Sequence, residues 1–203
     1  MKEIKNILAS IRIADAKYNL INKKDRIAVG ISGGKDSMTL FYALNIYKHF
    51  GHCDFEIVPI IIDLGFPKFD VKETADFLKS LGYNLVIYNA KDVYPILLSN
   101  KTKNKHISCS ICSKMKKCIM DKAAKENNCN KVAFAHHSDD AVETFFMNAI
   151  YGGRLATFAP KMYLTKDNIE YIRPLILVNE DTIRKVVKEE NIPVAAKICP
   201  ADE

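Results

Sequence analysis

Apolar positions along this chain alternate between two periods. From residue 3 to 21, Ile4, Ile7, Leu8, Ile11, Ile13, Ala14 and Leu20 recur among Lys and Asn at helical spacing, predicting a leading helix with one apolar face. Arg26 to Ile31 is apolar and β-branched, a strand. After the polar stretch Ser32-Gly33-Gly34-Lys35-Asp36-Ser37, Met38, Phe41, Tyr42 and Leu44 define a helix ending near Phe50. Phe55 to Asp63 is a continuous apolar run, the pattern of a strand covered on both faces. An amphipathic helix over 70–81 stops at Gly82, and Leu85 to Tyr88 forms a third strand. Ser99 to His106 is polar and basic, hence a loop, and a helix follows from Cys109 to about Asn127. Lys131 to Ala135 is a fourth strand, followed by a helix over 141–150 expected to bury Val142, Phe145, Phe146 and Ala149. Residues 162–173 form a hairpin around Lys166-Asp167-Asn168. A last helix spans about 179–190. Strands alternating with helices of these lengths give an α/β fold, a doubly wound and mostly parallel sheet flanked by helices. We expect one domain over 1–203, with the helix 3–21 leading and a helical, cysteine-bearing segment 179–203 closing it.

Composition narrows the class. Nearly half of the 203 residues are apolar, yet no apolar run approaches a membrane span. Met1-Lys2-Glu3-Ile4-Lys5 is charged and leads into no export signal, so a cytoplasmic protein without membrane contact is expected. In that compartment the six cysteines are thiols or metal ligands rather than a disulfide frame. The net charge of +6 favours a polyanionic partner.

The chemistry concentrates at residues 32–37. Ser32, Gly33 and Gly34 can turn sharply between strand and helix, so that backbone N–H groups and a helix N-terminus converge on one point. Phosphate suits that point, with Lys35 neutralising charge and the Ser32 and Ser37 hydroxyls donating. The loop is not a Walker A motif, because Val29 stands where the first Gly is required and Asp36 follows Lys35. Nor is it a dinucleotide fingerprint.

Ligands of open parallel sheets bind beyond the carboxyl ends of the strands. Asp63 ends one strand there, either as a turn cap or in a nucleotide site. His136-His137-Ser138-Asp139-Asp140 ends another. Asp140 precedes Glu143 by three residues, so helix capping and a role in catalysis are both open, and the two histidines either pack the strand end or face the site. Cys109 and Cys112, three apart at a helix start, can face one metal, and the helix N-terminus favours their thiolates. Cys199 is a third candidate. Cys53, Cys118 and Cys129 lack such spacing and read as small buried hydrophobes.

Ser32 to Ser37, Cys109-x-x-Cys112, His136 to Asp140 with Val142-Glu143-Thr144, Tyr151-Gly152-Gly153-Arg154-Leu155 and Arg173-Pro174-Leu175 together resemble the tRNA 2-thiocytidine synthetase family of PP-loop ATP pyrophosphatases. The resemblance implies a three-layer sandwich of the adenine nucleotide alpha hydrolase type. It also implies ATP-dependent tRNA thiolation, in which a base is adenylated with release of pyrophosphate and sulfur then replaces its oxygen, at cytidine C2. Cofactors would be ATP, Mg²⁺ and a 4Fe-4S cluster held by Cys109, Cys112 and Cys199. Ala28, Val29, Gly30, Ser32, Gly33, Gly34, Lys35, Asp36, Ser37, Ile62, Asp63 and His137 would hold the nucleotide. Lys35, Asp36, Lys116, Asp139 and Asp140 would serve catalysis, and Lys101, Lys103, Lys105, Lys114, Lys117 and Arg154 would follow the tRNA. A sulfur donor, either sulfide or a persulfide carrier such as a cysteine desulfurase, and a second copy of the chain complete the expected partners. The rivals are a lysidine synthetase-like adenylating enzyme, which would leave the cysteine pair unexplained, a non-catalytic RNA- or metal-binding module, and a sulfur enzyme acting on a small molecule.

Overall fold

A computed structural model describes residues 2–52, 54–67, 69–100 and 107–195. Cys53, Lys101, Lys103, Lys105 and Cys199 therefore lie outside the described residues. The elements run α1 (Lys2–Tyr18), β1 (Arg26–Ile31), α2 (Lys35–Tyr47), β2 (Glu56–Asp63), α3 (Lys72–Ser80), β3 (Val86–Asn89), α4 (Val93–Ser99), α5 (Cys109–Glu126), β4 (Lys131–Ala133), α6 (Ser138–Gly152), β5 (Lys161–Leu164), β6 (Ile169–Ile172) and α7 (Glu180–Glu189).

Six strands form one sheet in the order β3-β2-β1-β4-β6-β5, parallel except for the antiparallel β5 edge. The α/β doubly wound expectation holds, and so does the hairpin, whose turn uses Asn168 at φ 53°. Strand periodicity sorts the core into two layers. Ile27, Val29, Ile31, Ile57, Ile61, Ala133 and Ile172 join α1, α2 and α7 on one face. Ala28, Val58, Ile60, Val132, Ile169 and Tyr171 meet Met120, Ala123 and Ala124 of α5 on the other. Each such fully buried Ile or Val side chain contributes about 1.5–3 kcal/mol. Central strands covered on both faces explain why β1 and β2 read as apolar runs.

Three expectations need correction. Helix α4 was not legible, because it is a short segment carrying Pro95 and only Val93 and Leu97 of it are buried. Helix α6 forms over a longer span than expected but buries none of its residues. Val142 and Phe146, expected inside, are 55% and 57% exposed, because no element of the described fold is laid over that face. Cys118 is exposed, whereas Cys129 is buried as expected, with burial pushing its thiol up to about 11.

Candidate functional site

The carboxyl ends of β1, β2 and β4 open into one cleft of about 780 Å³. It lies where the chain order in the sheet reverses across β1, the position at which open parallel sheets bind ligands. Gly30 and Ile31 end β1 in its floor, Ile61 and Ile62 come from β2, and Phe134, Ala135 and His136 follow β4.

One wall is the phosphate-type loop. Ser32 and Ser37 hydroxyls are 3.0 Å apart, the Ser32 N–H donates to Ser37 Oγ at 3.1 Å, and Ser37 Oγ donates to the Gly34 carbonyl at 3.0 Å. These bonds hold the loop as a small rigid ring. Gly34 caps α2 with no side-chain hydrogen bond, which leaves the first-turn N–H groups of α2 for an anion. Gly33 has φ +77°, and a Cβ there would stand 2.9 Å from the Cβ of Ala195. The Ala195 N–H donates to the Gly33 carbonyl at 3.0 Å, so the segment after α7 is tied directly to the loop.

Lys35 Nζ sits 2.9 Å from Glu180 Oε1 and 3.1 Å from Asp36 Oδ2. Burial pulls the Lys35 ammonium toward a lower pKa, but the hydrogen bonds and charges of Glu180 and Asp36 outweigh it and the net shift is upward. Glu180 is held below the usual glutamate range by its hydrogen bonds from Lys35 and Arg184. Its own backbone N–H donates to Asp139 Oδ2 at 2.9 Å, and this bond, with that from the Ser138 hydroxyl, lowers the Asp139 carboxyl. Glu180 thus joins the first turns of α2, α6 and α7. Sequence reasoning passed over it, because an acidic residue in the first turn of a helix is ordinary.

Asp36 Oδ1 is buried without a hydrogen bond, 3.8 Å from His137 Nε2. His137 is itself buried and approaches Asp140 Oδ2 at 3.4 Å. Asp140 does cap its helix, accepting from the His137 N–H at 2.8 Å, and it also lines the cleft. Asp36 and Asp140 therefore bring carboxylate oxygens from two helix starts toward the same nitrogen of His137, Nε2. Among the described residues no group of three or more such donors could hold a metal, and Mg²⁺ does not require one, since it takes one or two carboxylates plus substrate phosphates. The unpartnered Asp36 oxygen fits that demand.

The opposite wall is α5. Ser113, Lys116, Lys117 and Met120 face the cleft. Cys109 opens that helix and is exposed, with no side-chain cap bond from Ser108, and Cys112 is buried one turn on beside Leu64, Phe66 and Leu97. Lys116 lies 6.0 Å above the Phe66 ring. Phe66, Phe69 and Phe134 add aromatic faces that no spacing rule had marked. Burial and the Arg173 charge hold His136, which lines the cleft, below the usual histidine range.

Not every candidate converges. The side chain of Asp63 accepts from the Gly65 N–H at 2.9 Å and pairs with Lys91 at 3.4 Å, while its neighbours Ile62 and Leu64 line the cleft. Ala28 and Val29 are fully buried in β1. Lys114 and Arg154 are exposed, but neither lines the cleft.

A PP-loop domain model matches residues 2–196. The tRNA-cytidine(32) 2-sulfurtransferase of Geobacter metallireducens is 35% identical over 199 residues, covering 98% of this chain and 77% of that protein. That of Geotalea uraniireducens is 36% identical over 187 residues, 92% of this chain and 73% of the relative. This chain belongs to the PP-loop family, among its tRNA-cytidine 2-sulfurtransferases. The PP-loop fold also recurs in a solved U34-tRNA thiolase, NcsA from Methanococcus maripaludis with its 4Fe-4S cluster, at TM-score 0.78 and 23% identity, covering 98% of this chain and 68% of that one. An NH3-dependent NAD synthetase from Campylobacter jejuni shares the fold more distantly, at TM-score 0.58 and 11% identity over 93% of this chain and 74% of that one. No helix among the described residues is long and apolar enough to cross a membrane.

Proposed function

We propose that this PP-loop protein thiolates tRNA at the expense of ATP, replacing the C2 oxygen of a cytidine with sulfur. The observation that carries this reading is one cleft walled on one side by the phosphate-type loop and on the other by Ser113 and Lys116, which follow Cys109 and Cys112 on α5. A nucleotide needs the first and a sulfur-bearing centre needs the second. One nucleobase can reach both only if they share a rim.

The cytidine carbonyl oxygen attacks the α-phosphorus of ATP and pyrophosphate leaves. Sulfide then adds at the activated carbon, and AMP departs with the former carbonyl oxygen. The first-turn N–H groups of α2 and the Lys35 ammonium stabilise charge on the departing pyrophosphate. For this, Lys35 must exchange Glu180 for phosphate. Asp36, with Asp140 beside it, would hold Mg²⁺, and that ion would neutralise charge at the phosphates. Asp139 fixes the start of α7, and with it Glu180, through its 2.9 Å bond. His137 Nε2 faces both Asp36 and Asp140 and orients them. The aromatic faces of Phe66, Phe69 and Phe134 suit a stacked base, with Lys116 beside it.

A thiolate set on α5 fits an iron–sulfur centre, because Cys109 opens an uncapped helix N-terminus and Cys112 follows one turn later. Cys199 is the third ligand in this reading. The chain at Ala195 lines the same cleft, and four further residues reach at most about 14 Å. Three cysteine ligands would hold a 4Fe-4S cluster, which would supply the metal centre that carries sulfur. Lys114 and Lys117, with the basic run Lys101, Lys103 and Lys105, follow the tRNA backbone, and Arg154 extends that surface. The sulfur comes from sulfide or a persulfide carrier such as a cysteine desulfurase. The protein works in the cytoplasm as one domain and pairs with a second copy of itself.

Mass spectrometry of tRNA nucleosides from cells with and without the gene tests this reading. Thiocytidine is expected to vanish on deletion, to return with the wild-type gene and to stay absent with Lys35→Ala or Cys109→Ser. Unchanged thiocytidine, or loss of lysidine instead, overturns it.

A further inference from the structure

Lys35 is the cation of the phosphate-type loop, yet its charge is already matched from within the chain. Its ammonium lies 3.1 Å from Asp36 Oδ2 and 2.9 Å from Glu180 Oε1. Asp36 is the next residue along, so that contact is local. Glu180 arrives from the far end of the chain, at the first position of α7. The same Oε1 accepts from Arg184 Nη2 at 3.0 Å, one helical turn further on. Its hydrogen bonds from Lys35 and Arg184 hold Glu180 below the usual glutamate range, so it is a carboxylate at neutral pH. One carboxylate oxygen is thus shared between a cation that lines the cleft and a cation that does not.

The backbone beneath this carboxylate is held independently of Lys35. The Glu180 N–H donates to Asp139 Oδ2 at 2.9 Å, and Asn179 Oδ1 caps α7 by accepting from the Thr182 N–H at 2.8 Å. The side chain can therefore let go of Lys35 while the start of the helix stays in place. A polyphosphate on the loop demands that release, because its oxygens need the Lys35 ammonium and repel a carboxylate beside it. Arg184 then keeps the displaced charge paired.

We infer that Glu180 competes with phosphate for Lys35, swinging to Arg184 when a polyphosphate binds and returning to hasten the departure of pyrophosphate. This rests on the ATP reading given above and assigns the residue that sets product release. ATP and pyrophosphate are weakened by the same factor, since both displace the same contact. The consequence is largest for pyrophosphate. ATP also has its adenosine to place against the strand ends in the cleft floor, whereas pyrophosphate has only the loop and its cations.

Isothermal titration calorimetry of the full chain in excess Mg²⁺, with pyrophosphate, ATP and adenosine as probes, tests the inference, and thermal melts confirm that each variant folds. Glu180→Gln keeps the shape of the side chain and its accepting oxygen but removes the charge. It should lower the dissociation constants of pyrophosphate and ATP about two- to fivefold, the range for a partly exposed ion pair, and leave that of adenosine unchanged. Arg184→Ala frees Glu180 to hold Lys35 more tightly, so it should raise the pyrophosphate dissociation constant, and should not do so in the Glu180→Gln background. Unchanged or weaker pyrophosphate binding in Glu180→Gln, as a purely structural Glu180 would give, overturns the inference. So does an equal gain for adenosine, an Arg184→Ala loss that persists in the Glu180→Gln background, or the absence of pyrophosphate binding by either protein. Because affinity is read without tRNA or sulfur, failure here leaves the thiolation reading to its own test.

Discussion

Helices α2 and α6 begin alike and end differently. Each starts beyond the carboxyl end of a neighbouring central strand, β1 or β4, and each carries Asp residues in its first turn. Helix α2 buries Ser37 to Phe41, Ala43, Leu44 and Tyr47 between the sheet and α7, so its loop is held rigidly before any nucleotide arrives. Helix α6 buries nothing and is held by capping and loop bonds. The comparison teaches that the phosphate half of the site is preorganised by core packing. The half carrying Asp139 and Asp140 takes its position from polar ties.

The sharpest way to break this contrast is a pair of matched truncations. Phe41→Ala, at a fully buried position, should cost about 3–5 kcal/mol in a denaturant melt. Phe146→Ala should change the stability of the dilute monomer by no more than about 0.5 kcal/mol, as a surface site does. Equal losses would show that α6 is buried in the monomer after all.

Next in size, Lys35→Ala should slow tRNA-dependent pyrophosphate release by about 10²–10³-fold, the usual cost of removing one charge-stabilising donor. Loss of less than tenfold would place the transition-state charge elsewhere.

A smaller effect belongs to Gly33→Ala. At φ +77° a Cβ costs about 1–2 kcal/mol by itself, and it would also press on Ala195. A lower melting temperature and weaker ATP binding are expected, with Ala195→Gly relieving only the contact part of the loss. Full recovery in the double variant would mean that the backbone conformation costs nothing.

The smallest effect concerns pH. Glu180 and Asp139 both titrate below their ordinary ranges, Glu180 through Lys35 and Arg184 and Asp139 through the Glu180 N–H. Their contribution to stability is present above the unfolded carboxylate pKa, near about 4, and is lost as pH falls through the lower folded values. Glu180→Gln should therefore melt earlier than wild type at pH 6, and the gap should close as the pH drops below about 4. A gap that stays constant with pH would remove charge from the explanation.

Local signals carried the β1-loop-α2 unit far. Strand, glycine turn and helix lie within about twenty consecutive residues, and their chemistry depends on backbone N–H groups that the turn itself orients. The cysteine pair on α5 was legible for the same reason, because residues three apart in a helix share a turn. Glu180 and Ala195 were not legible as parts of the site. They reach Lys35 and Gly33 only once α7 has packed against α2. Asp63 shows the limit of the strand-end rule, which placed the residue at the right edge while the Gly65 turn and Lys91 took its carboxylate.

By itself the sequence determined every strand and every helix but α4, where the anion cradle forms and which thiols fall one helical turn apart, since each follows from spacing along a few turns of chain. Tertiary structure alone decided that the loop and α5 wall one cleft, that Glu180 holds Lys35, and that the apolar stripe of α6 faces outward. Periodicity reveals that a helix has an apolar face, but what covers that face is set by segments distant in the chain, or by another molecule.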